Sequence, residues 1–264
     1  MTYDALYAGF DSPLMQQLRR EAYGEDIGQH SWVTADELRA DIERLALTAG
    51  SRLLDVGCGP CGPLVFAVRS TGCTGIGVDV SGPALVSGSA RARAAGVEER
   101  VTLHEADLDL PLPFANQSFD AVISLDVVLH LRDREALLGE VARLLAPAGK
   151  LLLTDAGVLS GPISNDEIGR RSAHGFTRFV PPGFNEALLQ SAGFRLIARE
   201  DRTASVLRNA RGRLEAMGAH RSALLDLDGE EGFLRQQRYL ETVMELSERG
   251  ALTRVMYFAE SAAP

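Results

Sequence analysis

Cysteine is scarce in this chain, and its three copies form no pairing framework. Cys58, Cys61 and Cys73 crowd into one short stretch, and an odd count cannot be fully paired. That excludes a disulfide-stapled scaffold and fits a reducing, cytoplasmic setting. Cys58 and Cys61 do have Cys-x-x-Cys spacing, but no second ligand pair stands at a zinc-type distance. The expectation is therefore no metal, with both cysteines packed as small apolar residues. No apolar run reaches the roughly 18 residues of a membrane span, and the N-terminus carries acids early instead of the basic-then-apolar order of a secretory leader. Basic charge is in deficit as well: 27 Lys and Arg against 36 Asp and Glu give a formal net charge of -9. Such a field repels phosphate backbones, so neither nucleic acid nor membrane is an expected partner, and a small molecule is. Internal repeats and low-complexity tracts are also missing.

What is present is enough apolar material, 45% of 264 residues, to bury one large core. The chain is organised around Leu53-Leu54-Asp55-Val56-Gly57-Cys58-Gly59-Pro60-Cys61-Gly62-Pro63. An apolar run ends in a carboxylate, three glycines follow, and a helical pattern then begins at Leu64. That order reads as strand, tight turn and helix, with the glycines where backbone must turn or lie close to a ligand, and with free N–H groups at the helix start. Gly57-x-Gly59-x-x-Gly62 followed by Asp79 at the end of the next apolar run also matches the dinucleotide fingerprint. A nicotinamide-dependent oxidoreductase is thus one reading of the loop, and a non-catalytic cofactor-binding protein another.

Asp55 separates these readings, because a dinucleotide-binding strand is usually apolar at that position. Asp55-x-Gly57-x-Gly59 resembles motif I of the class I S-adenosylmethionine-dependent methyltransferases, Asp/Glu-x-Gly-x-Gly-x-Gly. Cys61 stands where the third glycine is usual, with Gly62 one place later. The resemblance extends in register from Arg52 to Asp155. It takes in Glu105-Ala106-Asp107-Leu108, the linker from Pro111 to Ser118, Phe119-Asp120 opening a fourth strand over 121–125, and the turn Pro147-Ala148-Gly149-Lys150 before a fifth strand over 151–154. It implies an α/β, Rossmann-like, seven-stranded, mostly parallel sheet flanked by helices, and S-adenosyl-L-methionine as cofactor with S-adenosyl-L-homocysteine as product. In that family the motif I acid, here Asp55, lies near the methionine end, and Asp79 receives the ribose hydroxyls. Asp107 binds the adenine amino group and Leu108 packs on the ring. Gly57, Cys58, Gly59, Val80 and Leu125 complete the expected cofactor set.

The acceptor side carries less motif. Ser124 to Leu131 leaves the sheet at its carboxyl edge, where Asp126 and His130 would face the donor methyl one helical turn apart, unless His130 only caps and packs the next helix. No Pro-Pro-aromatic motif of the DNA amino-methyltransferases occurs here. Residues 1–34 gather Tyr3, Tyr7, Tyr23, Gln29, His30 and Trp32 and read as a lid arm or, more plainly, as a packed helix over 13–23. Residues 35–202 form the methyltransferase core, with a long loop over 156–182 that holds His174 and Phe176. Residues 203–250 read as inserted cap helices, and 251–264 as the last core strand. The expected catalytic residues are His130, His30 and Asp126, and the expected substrate contacts Tyr23, His174 and Phe176. Arg208, Arg211, Arg213 and Arg221 either grip an anionic substrate or form a solvated helix face. Gly24-Glu25-Asp26-Ile27 resembles the arm of small-molecule N-methyltransferases acting on glycine derivatives, which implies an amine acceptor. Oxygen and carbon acceptors stay open.

Overall fold

The computed structural model describes residues 4, 7 and 9–262, so Tyr3 of the expected arm lies outside it. Seven strands, β1 Arg52–Val56, β2 Thr74–Asp79, β3 Val101–Glu105, β4 Phe119–Leu125, β5 Leu145–Leu159, β6 Phe194–Asp201 and β7 Leu252–Ser261, form one sheet in the order β3-β2-β1-β4-β5-β7-β6. The pairings among β1 to β5 are parallel, and β7 runs antiparallel between β5 and β6. The strand order reverses between β1 and β4, which opens a crevice at their carboxyl ends, the usual ligand position in such sheets.

The inner strands β1, β4 and β5 are largely buried on both faces, as a parallel sheet under two helical layers requires, while the edge strands β3 and β6 carry exposed positions. Side chains alternate across the sheet, so Leu54, Val56, Val122 and Leu153 enter one core while Leu53, Ala121, Ile123 and Leu152 enter the other. The first core is closed by α5 (Arg134–Leu144) and α7 (Phe184–Ser191), the second by α2 (Ala35–Leu45) and α3 (Gly62–Thr71). α4 (Gly82–Ala94) starts at the Ser81 cap, where the hydroxyl accepts from the Ala84 N–H. α2 begins in a capping box: Thr34 Oγ1 accepts the Glu37 N–H at 3.2 Å, and Glu37 Oε2 accepts the Thr34 N–H at 3.4 Å.

Two features depart from the sequence pattern. The fifth strand starts at Leu145, not 151, because the register opposite β4 jumps between Phe119 and Ala121, and Ala148 takes a left-handed φ of 60° in the extra residues. The arm and the inserted helices are also not separate additions. α1 (Pro13–Tyr23), α8 (Thr203–Ala219) and α9 (Arg221–Glu248, interrupted at Gly229) share a third core of Leu18, Trp32, Val206, Met217, Phe233 and Leu240. Gly212 permits the close crossing, since a Cβ there would lie 2.3 Å from the Ala22 carbonyl oxygen. α6 (Asn165–Arg171) packs against α9. No helix among the described residues is long and apolar enough to cross a membrane.

Candidate active site

The loop after β1 is shaped by its own backbone. Gly57, at φ 75°, and Cys58 both donate to the Val78 carbonyl, at 2.8 and 3.0 Å. Asp79, at the end of β2, accepts the Gly59 N–H at 2.8 Å and the Ser81 N–H at 2.9 Å. The displaced glycine has a reason. Cys61 takes the left-handed turn itself at φ 59°, and Gly62 is held against the arm, where a Cβ would lie 2.3 Å from the Ile27 carbonyl oxygen. Cys58 and Cys61 are buried free thiols with their sulfurs 3.4 Å apart, packed toward Gly77 and Gly88. Among the described residues no group of three or more His, Cys, Asp or Glu is arranged to hold a metal.

Above this loop lies a cavity of about 320 Å³ lined by Asp55, Gly57, Cys58, Gly59, Asp79, Val80, Asp107, Leu108, Leu125 and Asp126, among others. All the expected cofactor residues therefore meet in one place. Asp55 is buried, and its Oδ2 has no partner among the described residues. Burial, then the charge of Asp79, pushes its carboxyl up to about 8. A buried acid with an orphaned oxygen is poised for a cationic group, as the amino end of S-adenosylmethionine is. Burial also raises the Asp79 carboxyl, against the two N–H donors that hold it. Val80 exposes 49% of its surface at the rim and Leu108 is buried beside it, so a flat apolar ring has walls to lie against. Asp107 is exposed at the same mouth, with Oδ1 accepting the Asp109 N–H at 3.0 Å. The donor set fits the cofactor.

On the acceptor side the cavity brings together His30, His130 and His174 with Trp32, Arg171, Arg213 and Tyr239. His130 sits in a 3-10 turn, Val128–His130, just beyond β4. Its Nδ1 lies 3.0 Å from the Phe176 carbonyl oxygen. A carbonyl only accepts, so Nδ1 carries the proton and the neutral ring keeps its lone pair at Nε2. Burial pushes the ring's pKa below the ordinary histidine value. His30 is lowered to about 3 and His174 to about 4, in both cases first by burial and then by the Arg213 charge. The three imidazoles are neutral at pH 7.

Three expected residues have other positions. Asp126, at φ 60°, lines the cavity, but its carboxylate is already engaged by the Trp32 N–H at 3.0 Å, the Thr154 hydroxyl at 2.9 Å and Arg254 Nε at 2.9 and 3.0 Å. It anchors the arm to the sheet edge and has no basic lone pair left for a substrate. Phe176 exposes 48% of its surface, with Arg132 over its ring at 5.4 Å, and contributes its carbonyl to the site rather than its ring. Tyr23 lines a neighbouring chamber of about 240 Å³ between α1, α8 and α9, which adjoins the cavity and shares His30, His174 and Arg213 with its lining. Arg171 and Tyr239 gave no sequence signal, since they meet only through tertiary packing. Arg213 carried a weak one, as one of several helical arginines.

Residues 54–153 match the family model described as a methyltransferase domain. Methyltransferase GfsG of Streptomyces halstedii is 31% identical over 79% of this chain and 74% of its own length. The 27-O-demethylrifamycin SV methyltransferase of Amycolatopsis mediterranei (strain S699) is 30% identical over 73% and 74%. Among solved structures, Haemonchus contortus phosphoethanolamine N-methyltransferase 2, in complex with phosphomonomethylethanolamine and S-adenosylhomocysteine, has a TM-score of 0.81 at 21% identity, covering all of this chain and 61% of that one. The chain belongs to the S-adenosylmethionine-dependent methyltransferases. It is an enzyme with S-adenosylmethionine as cofactor and a small molecule as methyl acceptor, and the oxidoreductase reading of the glycine loop falls away.

Proposed function

We propose that the methyl acceptor is a hydroxyl group of a small molecule, and that His130 receives its proton. The observation that carries this reading is the 3.0 Å contact of His130 Nδ1 with the Phe176 carbonyl, which assigns the basic lone pair to Nε2 in a ring lining the cavity. A bound S-adenosylmethionine supplies a methyl group already attached to a good leaving group. The chain then has three tasks. Asp55, Asp79 and Asp107 would hold the polar ends of the cofactor, with Val80 and Leu108 against its ring. The arm and α8–α9 exclude water from the reacting atoms and hold the acceptor in line. His130 Nε2 takes the hydroxyl proton as the new bond to carbon forms, a transfer of the kind worth roughly 10²–10⁴ in rate.

The amine acceptor expected from the arm has less support. An ammonium would need a free carboxylate or open aromatic faces on the acceptor side, yet Asp126 is occupied by Arg254, and the Trp32 and Tyr239 rings already have Arg213 and Arg171 over them at 5.4 Å. A relative matched over about three quarters of both chains is named a 27-O-demethylrifamycin SV methyltransferase, and another, matched over 60% of both, an O-methyltransferase. The buried free thiols of Cys58, Cys61 and Cys73 support a cytoplasmic setting. The experiment is a screen of purified protein against alcohols, phenols, amines and carbon acids, followed by release of S-adenosylhomocysteine. Turnover of hydroxyl compounds supports the reading. Turnover confined to amines, undiminished in His130→Gln, would return the acceptor to nitrogen.

A further inference from the structure

Four arginines are almost fully buried among the described residues: Arg19, Arg134, Arg171 and Arg254. Three of them have a carboxylate at ion-pair distance. Arg19 meets Asp26 at 2.9 Å, Arg134 meets Asp155 at 2.5 Å, and Arg254 meets Asp126 at 2.9 Å and Glu37 at 3.0 Å. Arg171, 4% exposed, has none among the described residues. Its Nη1 donates to the Tyr239 hydroxyl at 3.2 Å, Nη2 to the Ala156 carbonyl at 3.4 Å, and its buried Nε has no partner. Burying a cation without an opposing charge is costly, and the chain holds to that rule at the other three sites.

A second cation faces the same space. Arg213 is half-buried and makes no hydrogen bond or ion pair among the described residues; its guanidinium lies over the Trp32 ring, 5.4 Å from the centroid. Trp32 stacks on Tyr239 at 6.4 Å and 22°, and Arg171 lies over the other member of the pair at 5.4 Å. Two stacked rings are thus flanked by two guanidiniums, and both guanidiniums line the reaction cavity. This occurs in a protein whose net charge is -9, so the local positive field opposes the global one. The acids nearest in the cavity are committed: Asp126 to Arg254, and Asp55 and Asp79 to the cofactor end. Beyond Arg213 the second chamber presents Met15, Leu18, Met217, Leu224 and Phe233 among its apolar walls, with Arg19, Asp228 and Arg235 as its charged ones.

We propose that the acceptor is an amphipathic hydroxy acid, its carboxylate or phosphate oxygens received by Arg171 and Arg213 and its apolar body lying in the chamber between α1, α8 and α9. This rests on the methyl-transfer reading for what happens to the hydroxyl, but the anion site is a binding property that stands by itself. Arginine forks suit oxyanions through paired N–H donors. The bound anion supplies the charge that Arg171 lacks and fixes the orientation of the hydroxyl toward His130.

The test is calorimetry on enzyme saturated with S-adenosylhomocysteine, using 3-hydroxyoctanoate, 3-hydroxyoctanamide and octyl phosphate as probes. The acid or the phosphate should bind roughly tenfold or more tighter than the amide, the worth of one or two charge-assisted hydrogen bonds. Whichever of the two binds better identifies the anion. Arg213→Gln, at a side chain with no polar partner to orphan, should bring the anion down to the level of the amide while affinity for S-adenosylhomocysteine stays within about twofold. Binding of neither the acid nor the phosphate more tightly than the amide, or a preference that survives in Arg213→Gln, would overturn the proposal. Failure to bind S-adenosylhomocysteine at all would instead strike the methyltransferase reading, so the two failures are separable.

Discussion

Arg254 and Asp126 form a buried ion pair that ties the last strand to the exit of the fourth: Arg254 Nε lies 2.9 and 3.0 Å from the two carboxylate oxygens. Nη1 of the same guanidinium donates to Glu37 at 3.0 Å and Ser205 at 3.2 Å, and Nη2 to Thr154 at 3.3 Å. β7, β4, β5, α2 and α8 therefore meet at one side chain, and the Trp32 N–H on Asp126 adds the arm.

Removing that cation should cost more than the pair itself contributes, because Asp126 would stay buried without an opposing charge, while Glu37 keeps Arg202 at 3.6 Å. Arg254→Met is expected to lose about 3–5 kcal/mol of stability. The double variant Arg254→Met/Asp126→Asn should recover part of the loss. Urea denaturation of the three proteins checks this, and a double variant no more stable than the single one would contradict it.

Cofactor affinity should depend on pH through Asp55. Its folded pKa of about 8 exceeds the ordinary carboxyl value, so without a ligand the group is protonated at neutral pH. A cationic ligand group beside it favours the ionised form, so binding releases a proton. Affinity for S-adenosylhomocysteine is expected to rise as pH increases toward 8 and to level off above it. The apo protein should show the opposite trend: a raised acid pKa stabilises the fold below the unfolded value of 3.8, and that contribution declines as pH rises through about 8. Calorimetry from pH 6 to 9, compared with Asp55→Asn, tests both the slope and its origin. The substitution should flatten the curve.

His130→Gln should lower single-turnover methyl transfer by roughly 10²–10³ while leaving cofactor affinity nearly unchanged. The lowered pKa of His130 puts its basic form in place by neutral pH. Rate should therefore rise with pH on the acid side of 6.5 and be flat above it. In the variant that acid limb should vanish. A wild-type profile without the limb would assign His130 to packing.

Gly62→Ala is expected to dislodge the arm from the cofactor loop, since the new methyl would sit 2.3 Å from the Ile27 carbonyl oxygen and 2.4 Å from that of Gly28. Overpacking of this kind costs about 1–3 kcal/mol. Methyl transfer should fall further than affinity for S-adenosylhomocysteine, because the sheet supplies most of the cofactor wall. Limited proteolysis between Gly24 and Trp32 should report the freed arm.

The cofactor half of the site was legible in the sequence because its geometry is made locally. Gly57, Gly59, Asp55 and Asp79 lie on two successive strand exits, where φ sign and carboxylate position leave few residue choices. Even the misplaced third glycine became informative once Gly62 was found against Ile27. The acceptor half was not legible in the same way. Asp126 had the right position for catalysis, but its partner Arg254 lies at the other end of the chain, and no periodicity signals such a pairing. Phe176 was the right loop and the wrong atom, since a carbonyl contact leaves no trace in residue type. Trp32, Arg171, Arg213 and Tyr239 converge from four separate segments, so their common role appears only when the segments pack.

The cap has its own consequence for how the molecule assembles and breathes. α1 comes from the beginning of the chain and α8–α9 from near its end, and they share one core. Contacts of such wide sequence separation are slow to form, because the loop between them must close before they reward it. The five parallel strands β1 to β5, joined by local crossovers, can condense first, leaving β7 and the cap to dock last. The same order run backwards gives a route for a bulky acceptor: opening of the α1–α8–α9 layer as one unit, at less than the cost of global unfolding, with its amides exchanging with solvent sooner than those of β1 and β4.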